Sequence, residues 1–344
     1  MSIIRIGLTY ELKRALAGRE VQEDDLLEAE EDYTIAELAE AIEANGHEVV
    51  RIGTAHDLLR DLRSARGLQV DAVFNYAVGM RSRARETWVP AILDVAGIPC
   101  VGSDALTLAV ASDKYATTAI ARGVGVPAPR TVLVNDLDEL REARTPPLPV
   151  IVKPRYEGSS IGIWEDSLIR KEEDLETRVQ RVLQDYGQSA IVQEFIPGRE
   201  IAVPLLGSPL QAYGVVGMSI DGDMDLGDRF LWNFLKADYR RAVARWPAGL
   251  DPSVESQAMR FAETICKALE VRDFARCDFR VSADGVPYLL EVNPIAHLQR
   301  INGEFVVAGS PKGHSFHAIV GMILQSAIGR ILAERTDQRE EAPV

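Results

Sequence analysis

The residues with the most concentrated chemistry lie in one run, Arg276-Cys-Asp-Phe-Arg-Val-Ser-Ala-Asp-Gly-Val-Pro-Tyr-Leu-Leu-Glu-Val-Asn293. Its Asp284-Gly285 pair, set between two apolar stretches, marks a hairpin turn. Alternate side chains of a strand share one face. That period projects Arg276 and Asp278 together from the first strand, and Leu289, Glu291 and Asn293 from the second. Two carboxylates and a carboxamide are hard oxygen donors, and aligned carboxylates repel unless a positive charge separates them. A set with so few protein ligands suits Mg²⁺ held jointly with phosphates. A salt-bridged solvent face would use the same residue types. The strand carrying Glu291 is too apolar for that, which favours a metal site.

Two further runs carry phosphate and nucleoside chemistry. Lys153 stands at the end of an apolar strand and is followed by Glu157-Gly-Ser-Ser-Ile-Gly162. Glycines let backbone N–H groups approach phosphate oxygens, and the serine hydroxyls and the lysine add donors. A plain hairpin turn has the same composition. The run Gln193-Glu-Phe-Ile-Pro-Gly-Arg-Glu200 is an apolar strand entering a Pro-Gly turn. Its free backbone groups could read an adenine edge and Glu200 could accept from ribose hydroxyls, or the run is an ordinary strand-turn-strand.

The elements that must position these groups are legible from periodicity. Strands are expected over residues 3–8, 47–52, 71–74 and 98–101. A helix with Ile35, Leu38, Ala39 and Ile42 on one side ends at Gly46, and another over 86–96 ends at Gly97. Alternating strands and helices imply a parallel sheet covered on both faces, which binds ligands beyond the strands' carboxyl ends. Residues 9–11 and 75–85 are therefore candidates for lining a site. A second unit has a helix over 113–122, strand, Gly-rich turn and strand over 150–164, a helix over 171–185 and a strand over 190–195. A third has strands over 200–206 and 211–218, a helix over 254–269, the hairpin and a C-terminal helix. The acidic stretch 20–32 reads as a solvated loop or exposed helix face, and the tail as frayed.

Composition sets bounds. The 344 residues are 47% apolar and 26% charged, enough for two or three subdomains with buried cores. A formal charge of −14 argues against nucleic acid and anionic membranes as partners. Cys100, Cys266 and Cys277 fit a reduced cytoplasmic protein, with neither a disulfide framework nor a zinc site. No leader or long apolar run is evident.

Taken in order, Ser112-Asp-Lys114, Val152-Lys-Pro154, Glu157-Gly-Ser-Ser-Ile-Gly162, Gln193-Glu-Phe-Ile-Pro-Gly-Arg-Glu200, Arg276-Cys-Asp278 and Leu290-Glu-Val-Asn293 resemble the ATP-grasp superfamily, and within it the D-alanine–D-alanine ligase group. The resemblance spans about residues 1–330. It implies an α/β chain, α+β in its ATP-binding part, with an N-terminal parallel-sheet subdomain (1–104) and two α+β subdomains (105–195 and 196–332) sandwiching ATP. Residues 333–344 form the tail. It further implies that Lys114 and Lys153 meet ATP phosphates and that Glu157, Ser159 and Ser160 lie in a loop over the γ-phosphate. Glu194, Phe195 and Ile196 would form the adenine hinge, with Glu200 at the ribose and Lys236 as a further phosphate lysine. Asp278, Glu291 and Asn293 would hold two Mg²⁺ ions, with Mn²⁺ as a substitute. Arg276, Lys153 and Ser160 would act on the reacting groups, and a homodimer is implied.

The substrate half departs from that group. His297 stands where the group has a glycine in its acceptor loop, Gly7-Leu-Thr-Tyr-Glu-Leu12 replaces its N-terminal signature, residues 75–85 replace a His-Gly loop, and Ala237 replaces a tyrosine. Glu11, Arg81, Arg83, His297 and Arg300 become the candidate substrate contacts, the arginines as carboxylate clamps. The implied reaction is ATP-dependent joining of an amino acid or small derivative to an amine through an acylphosphate. A D-alanine–D-alanine ligase, a ligase for another nucleophile such as a thiol, and a nucleotide-binding regulator are the alternatives.

Overall fold

The computed structural model describes residues 4–16, 26–232 and 241–340. Its strands form three sheets. The first is all parallel, β1 (Arg5–Thr9), β2 (Glu48–Gly53), β3 (Ala72–Asn75) and β4 (Cys100–Val101), in the order β2-β1-β3-β4. Parallel neighbours need crossovers. The helix Asp32–Ala44 supplies one, and Ile35, Leu38, Ala39 and Ile42 are all buried on its inner side. Gly46 and Gly97 close their helices with φ of +85° and +65°, a region open to glycine.

The second sheet is antiparallel: β5 (Thr131–Val134), β6 (Val150–Pro154), β7 (Leu168–Ile169) and β8 (Ala190–Glu194), ordered β5-β8-β6-β7. The helix Glu172–Tyr186 packs Leu175, Val179 and Val182 onto it. The stretch 155–164 is a turn throughout, not turn and strand. Ser159 and Ser160 have φ of +48° and +60°, which no strand tolerates.

The third sheet has six strands: β9 (Arg199–Gly207), β10 (Leu210–Ala212), β11 (Val216–Ile220), β12 (Ala242–Arg245), β13 (Asp273–Val281) and β14 (Pro287–Asn293). The order is β12-β11-β9-β13-β14, with β10 on β9. The single strand expected over 211–218 is thus two: the β10–β9 ladder runs on to Tyr213, whose N–H donates to Pro204 O at 2.7 Å, and β11 begins only at Val216. All nine residues of β13 are buried.

The helix Phe316–Glu340 runs past the point where a frayed tail was expected. Its segment Phe316–Thr336, of mean hydropathy 1.5, is long and apolar enough to cross a membrane. Here Ile319, Val320, Ile323, Leu324 and Ala327 are buried in the core shared by the first and third sheets, as a core helix requires. Arg330 anchors it. Its guanidinium grips Asp273, fully buried at the start of β13, at 2.7 and 3.1 Å and donates to Cys100 O at 2.8 Å. Asp273 also accepts from Gly102 N at 2.8 Å. One ion pair therefore ties the helix to two sheets. Removing one member of a buried pair strands the other. Arg330→Leu should lower the unfolding free energy by about 3–5 kcal/mol, read as a fall in the urea midpoint at unchanged slope.

Candidate active site

The hairpin brings its charged groups together by register. Arg276 pairs with Asn293 and Asp278 with Glu291 across β13 and β14. The pairing then shifts by one residue, a β-bulge at Leu290. The bulge reverses the alternation, so Leu289 packs in the core beside Phe279 and Val292, and not with Glu291 as strict alternation predicts. Leu290 takes the cavity side.

Arg276 donates to both oxygens of Asp278, at 2.7 and 2.8 Å, and to Glu304 at 3.1 Å. Burial alone would lower its pKa, but those carboxylates hold it well above the ordinary arginine value. Asn293 Nδ2 donates to Asp278 at 3.0 Å, and Lys114 Nζ lies 3.6 Å from Glu291.

A cavity of about 710 Å³ opens beside this cluster, between the second and third sheets. Lys114, Lys153, Glu157, Ser160, Glu194, Phe195, Ile196 and Glu200 all line it, with Asp278 and Glu291 at one end. Each is placed by a local cause. Lys114 opens a helix capped by Asp113, whose side chain accepts from Tyr115 and Ala116 N–H and from Arg155. Lys153 is the next-to-last residue of β6, Glu194 ends β8, and Phe195 donates its N–H to Pro149 O at 3.1 Å. Desolvation first, then the nearby Lys114 charge, pushes the Lys153 pKa down to about 8. Arg280, not foreseen as a site residue, also lines this cavity, 3.5 Å from Glu200 and over the Phe195 ring. Its alternation with Arg276 and Asp278 along β13 was a legible signal.

A second, open cavity of about 2680 Å³ shares Lys114, Leu231 and Glu291 with the first. Ser159, Arg276, Asn293, His297 and Arg300 line it. Three other candidates, Glu11, Arg81 and Arg83, do not. Arg81 and Arg83 are exposed and border neither cavity; the loop 76–85 instead turns Arg85 inward. Arg85 pairs with Glu28 at 2.9 Å, reaches Glu157 at 3.5 Å and donates to Tyr156 O at 3.2 Å. Glu11 is buried but clamps that loop, accepting from Val78 N at 2.9 Å. Desolvation raises its pKa to about 7 against the pull of the Val78 and Gly79 amides. The acidic stretch is solvated only in part where it is described: Glu31 and Asp32 are exposed, but Glu28 and Glu30 turn inward. Lys236 and Ala237 lie outside the described residues.

Among the described residues no group of three or more His, Cys, Asp or Glu is placed to hold a metal. The oxygen set of Asp278, Glu291 and Asn293 nevertheless fits a hard divalent ion sharing its coordination with phosphates. Its negative charge is balanced here by Arg276 and Lys114, and a half-turn of the Asn293 amide would present its oxygen in place of its nitrogen.

A helix-backed parallel sheet followed by two antiparallel units facing each other across a lysine-lined cavity is the ATP-grasp fold of an ATP-dependent ligase. A family model described as the D-ala D-ala ligase C-terminus matches residues 130–325. The uncharacterized protein y4sG of Sinorhizobium fredii is 32% identical over 266 residues, covering 74% of each chain. The D-alanine–D-alanine ligase of Thermotoga maritima is 30% identical over 292 residues, 83% of this chain and 89% of that one. Among solved structures, the VanG D-Ala:D-Ser ligase of Enterococcus faecalis superposes with a TM-score of 0.72 at 20% identity, covering 95% of this chain and all of that one. The chain belongs to the D-alanine–D-alanine ligase family. It is an ATP-grasp ligase that forms a C–N bond.

A phosphate beside Lys153 favours its charged form. ATP affinity should be flat below the free pKa of about 8 and fall above it, with proton uptake on binding. Calorimetry in two buffers of different ionisation enthalpy measures that uptake. Lys153→Met should bind more weakly and take up no such proton.

Proposed function

We propose that the protein activates the carboxylate of an amino acid, or of a small amino-acid derivative, with ATP and transfers the acyl group to an amine. The observation that carries this reading is the meeting of the two cavities at Lys114 and Glu291, beside Arg276, Asp278 and Asn293. One cavity has the apolar and lysine-bearing walls a nucleotide needs. The other is open and polar, as small charged substrates require.

Lys114 and Lys153 hold the phosphates, with Glu157, Ser159 and Ser160 in the loop above them. Glu194, Phe195 and Ile196 take the adenine and Glu200 the ribose, while Lys236 remains a further phosphate lysine by resemblance. Asp278, Glu291 and Asn293 hold Mg²⁺. Bound there, such an ion would supply positive charge that neutralises the phosphate oxygens. A donor carboxylate oxygen attacks the γ-phosphorus and ADP leaves, giving an acylphosphate. Lys153 spreads the charge on the transferring group. Arg276, released from Asp278, donates to the oxyanion that forms when the amine attacks. The 157–162 loop keeps water from the acylphosphate.

Placing ADP release from Mg-ATP under a panel of D- and L-amino acids, singly and in pairs, with product masses recorded, tests the reading. The expected result is release that depends on a particular pair, with a product at the summed mass less water. A product from D-alanine alone would give this chain the reaction its named relatives carry. ATP binding with no release across the panel would sink the reading. Arg276→Ala should lower turnover by about 10²–10³ with little change in ATP affinity.

A further inference from the structure

His297 does not stand alone in the second cavity. Its Nδ1 lies 3.0 Å from Glu30 Oε1, and that nitrogen is buried, whereas the side chain as a whole is 39% exposed and lines the cavity. Glu30 is in turn held by the Tyr76 hydroxyl, which also accepts from Leu298 N–H at 2.8 Å. Tyr76 and Glu30 are both buried. Three distant segments therefore build one chain of contacts, from the Leu298 amide through Tyr76 and Glu30 to the imidazole. A carboxylate beside Nδ1 favours the tautomer that keeps its proton on that nitrogen, which leaves the lone pair on Nε2. Base oriented by a buried carboxylate is a recurring arrangement for moving a proton at a reacting atom.

We propose that His297 is the general base that deprotonates the acceptor amine, with Glu30 and Tyr76 as positioning residues. This rests on the amine-ligation reading above. An amine in water is an ammonium ion without a free electron pair, so it cannot attack a carbonyl until a proton is removed. The ammonium proton passes to His297 Nε2, and the freed nitrogen pair forms the C–N bond to the acylphosphate carbonyl. When the tetrahedral adduct collapses, the C–O bond to phosphate breaks. The second nitrogen proton leaves with the phosphate, and the imidazolium returns its own to solvent.

The surroundings suit the task. Desolvation pulls the His297 pKa down, but the Glu30 charge and contact outweigh it, so the net shift is upward from 6.5. The charged groups acting on the imidazole are Glu30 from the N-terminal unit, with Tyr76 behind it, Arg276 from β13, and Glu304 from the helix Glu304–Gly309. Arg276 works against protonation and Glu304 for it.

Hydroxylamine tests the proposal because it is already uncharged at neutral pH and needs no base to attack an acylphosphate. Wild type and His297→Gln are compared in amide formation, using the amino-acid pair that gives product in the panel, and in hydroxamate formation from the same donor. Loss of a general base costs about 10²–10⁴ in rate. His297→Gln should therefore lose at least about 10²-fold in amide formation while hydroxamate formation stays close to wild type. Equal loss of both products, or loss of neither, overturns the base assignment and leaves the ligase reading standing. A wild-type protein that forms neither product overturns both. Glu30→Gln removes the charge that raises the imidazole pKa, so the acid limb of the amide-forming kcat should move to lower pH, with the hydroxamate profile unmoved. An unmoved acid limb overturns the positioning role of Glu30.

Discussion

Arg276 grips Asp278 through two nitrogens in the middle of a strand whose every residue is buried, and the rest of the site follows from having to balance that charge. A buried ion is tolerated only with partners and satisfied hydrogen bonds. Glu304 takes the third guanidinium nitrogen, Asn293 supports Asp278, and Lys114 faces Glu291. None of these can be moved without leaving another exposed to the low-dielectric interior. The site is a set of protein charges answering one another.

The sheet order explains why that balance is held so firmly. β13 lies between β9 and β14, and its anchor, Asp273, is fixed by Arg330 from the C-terminal helix and by the Gly102 amide. That face of the strand therefore takes its position from the first and last parts of the chain. The loop bearing Ser159 and Ser160 is held differently, through Arg85, Glu28 and the Lys114 contact to Glu157 O. These are polar contacts at its rim and not a packed apolar face.

Much of this was legible in the sequence because it is local. The period of two put Arg276 beside Asp278, the helix period buried Ile35, Leu38 and Ile42, and glycine marked helix ends. What escaped reading was set by tertiary contact. The bulge at Leu290 reverses a face without any glycine or proline to announce it. Glu28 and Glu30 look like solvated acid until Arg85 and His297, fifty-seven and more than two hundred residues away, come to meet them. Arg81 and Arg83 stay exposed while Arg85 turns inward for the same reason, since Glu11 holds the loop at the Val78 amide. Spacing identified the loop but not which of its arginines turns inward.

Ser160 borders one cavity and Ser159 the other, so the peptide unit joining them belongs to both walls, as Lys114, Leu231 and Glu291 do. A wall that thin cannot open on one side alone. Whatever shifts this loop from one side therefore reshapes the neighbouring compartment as well.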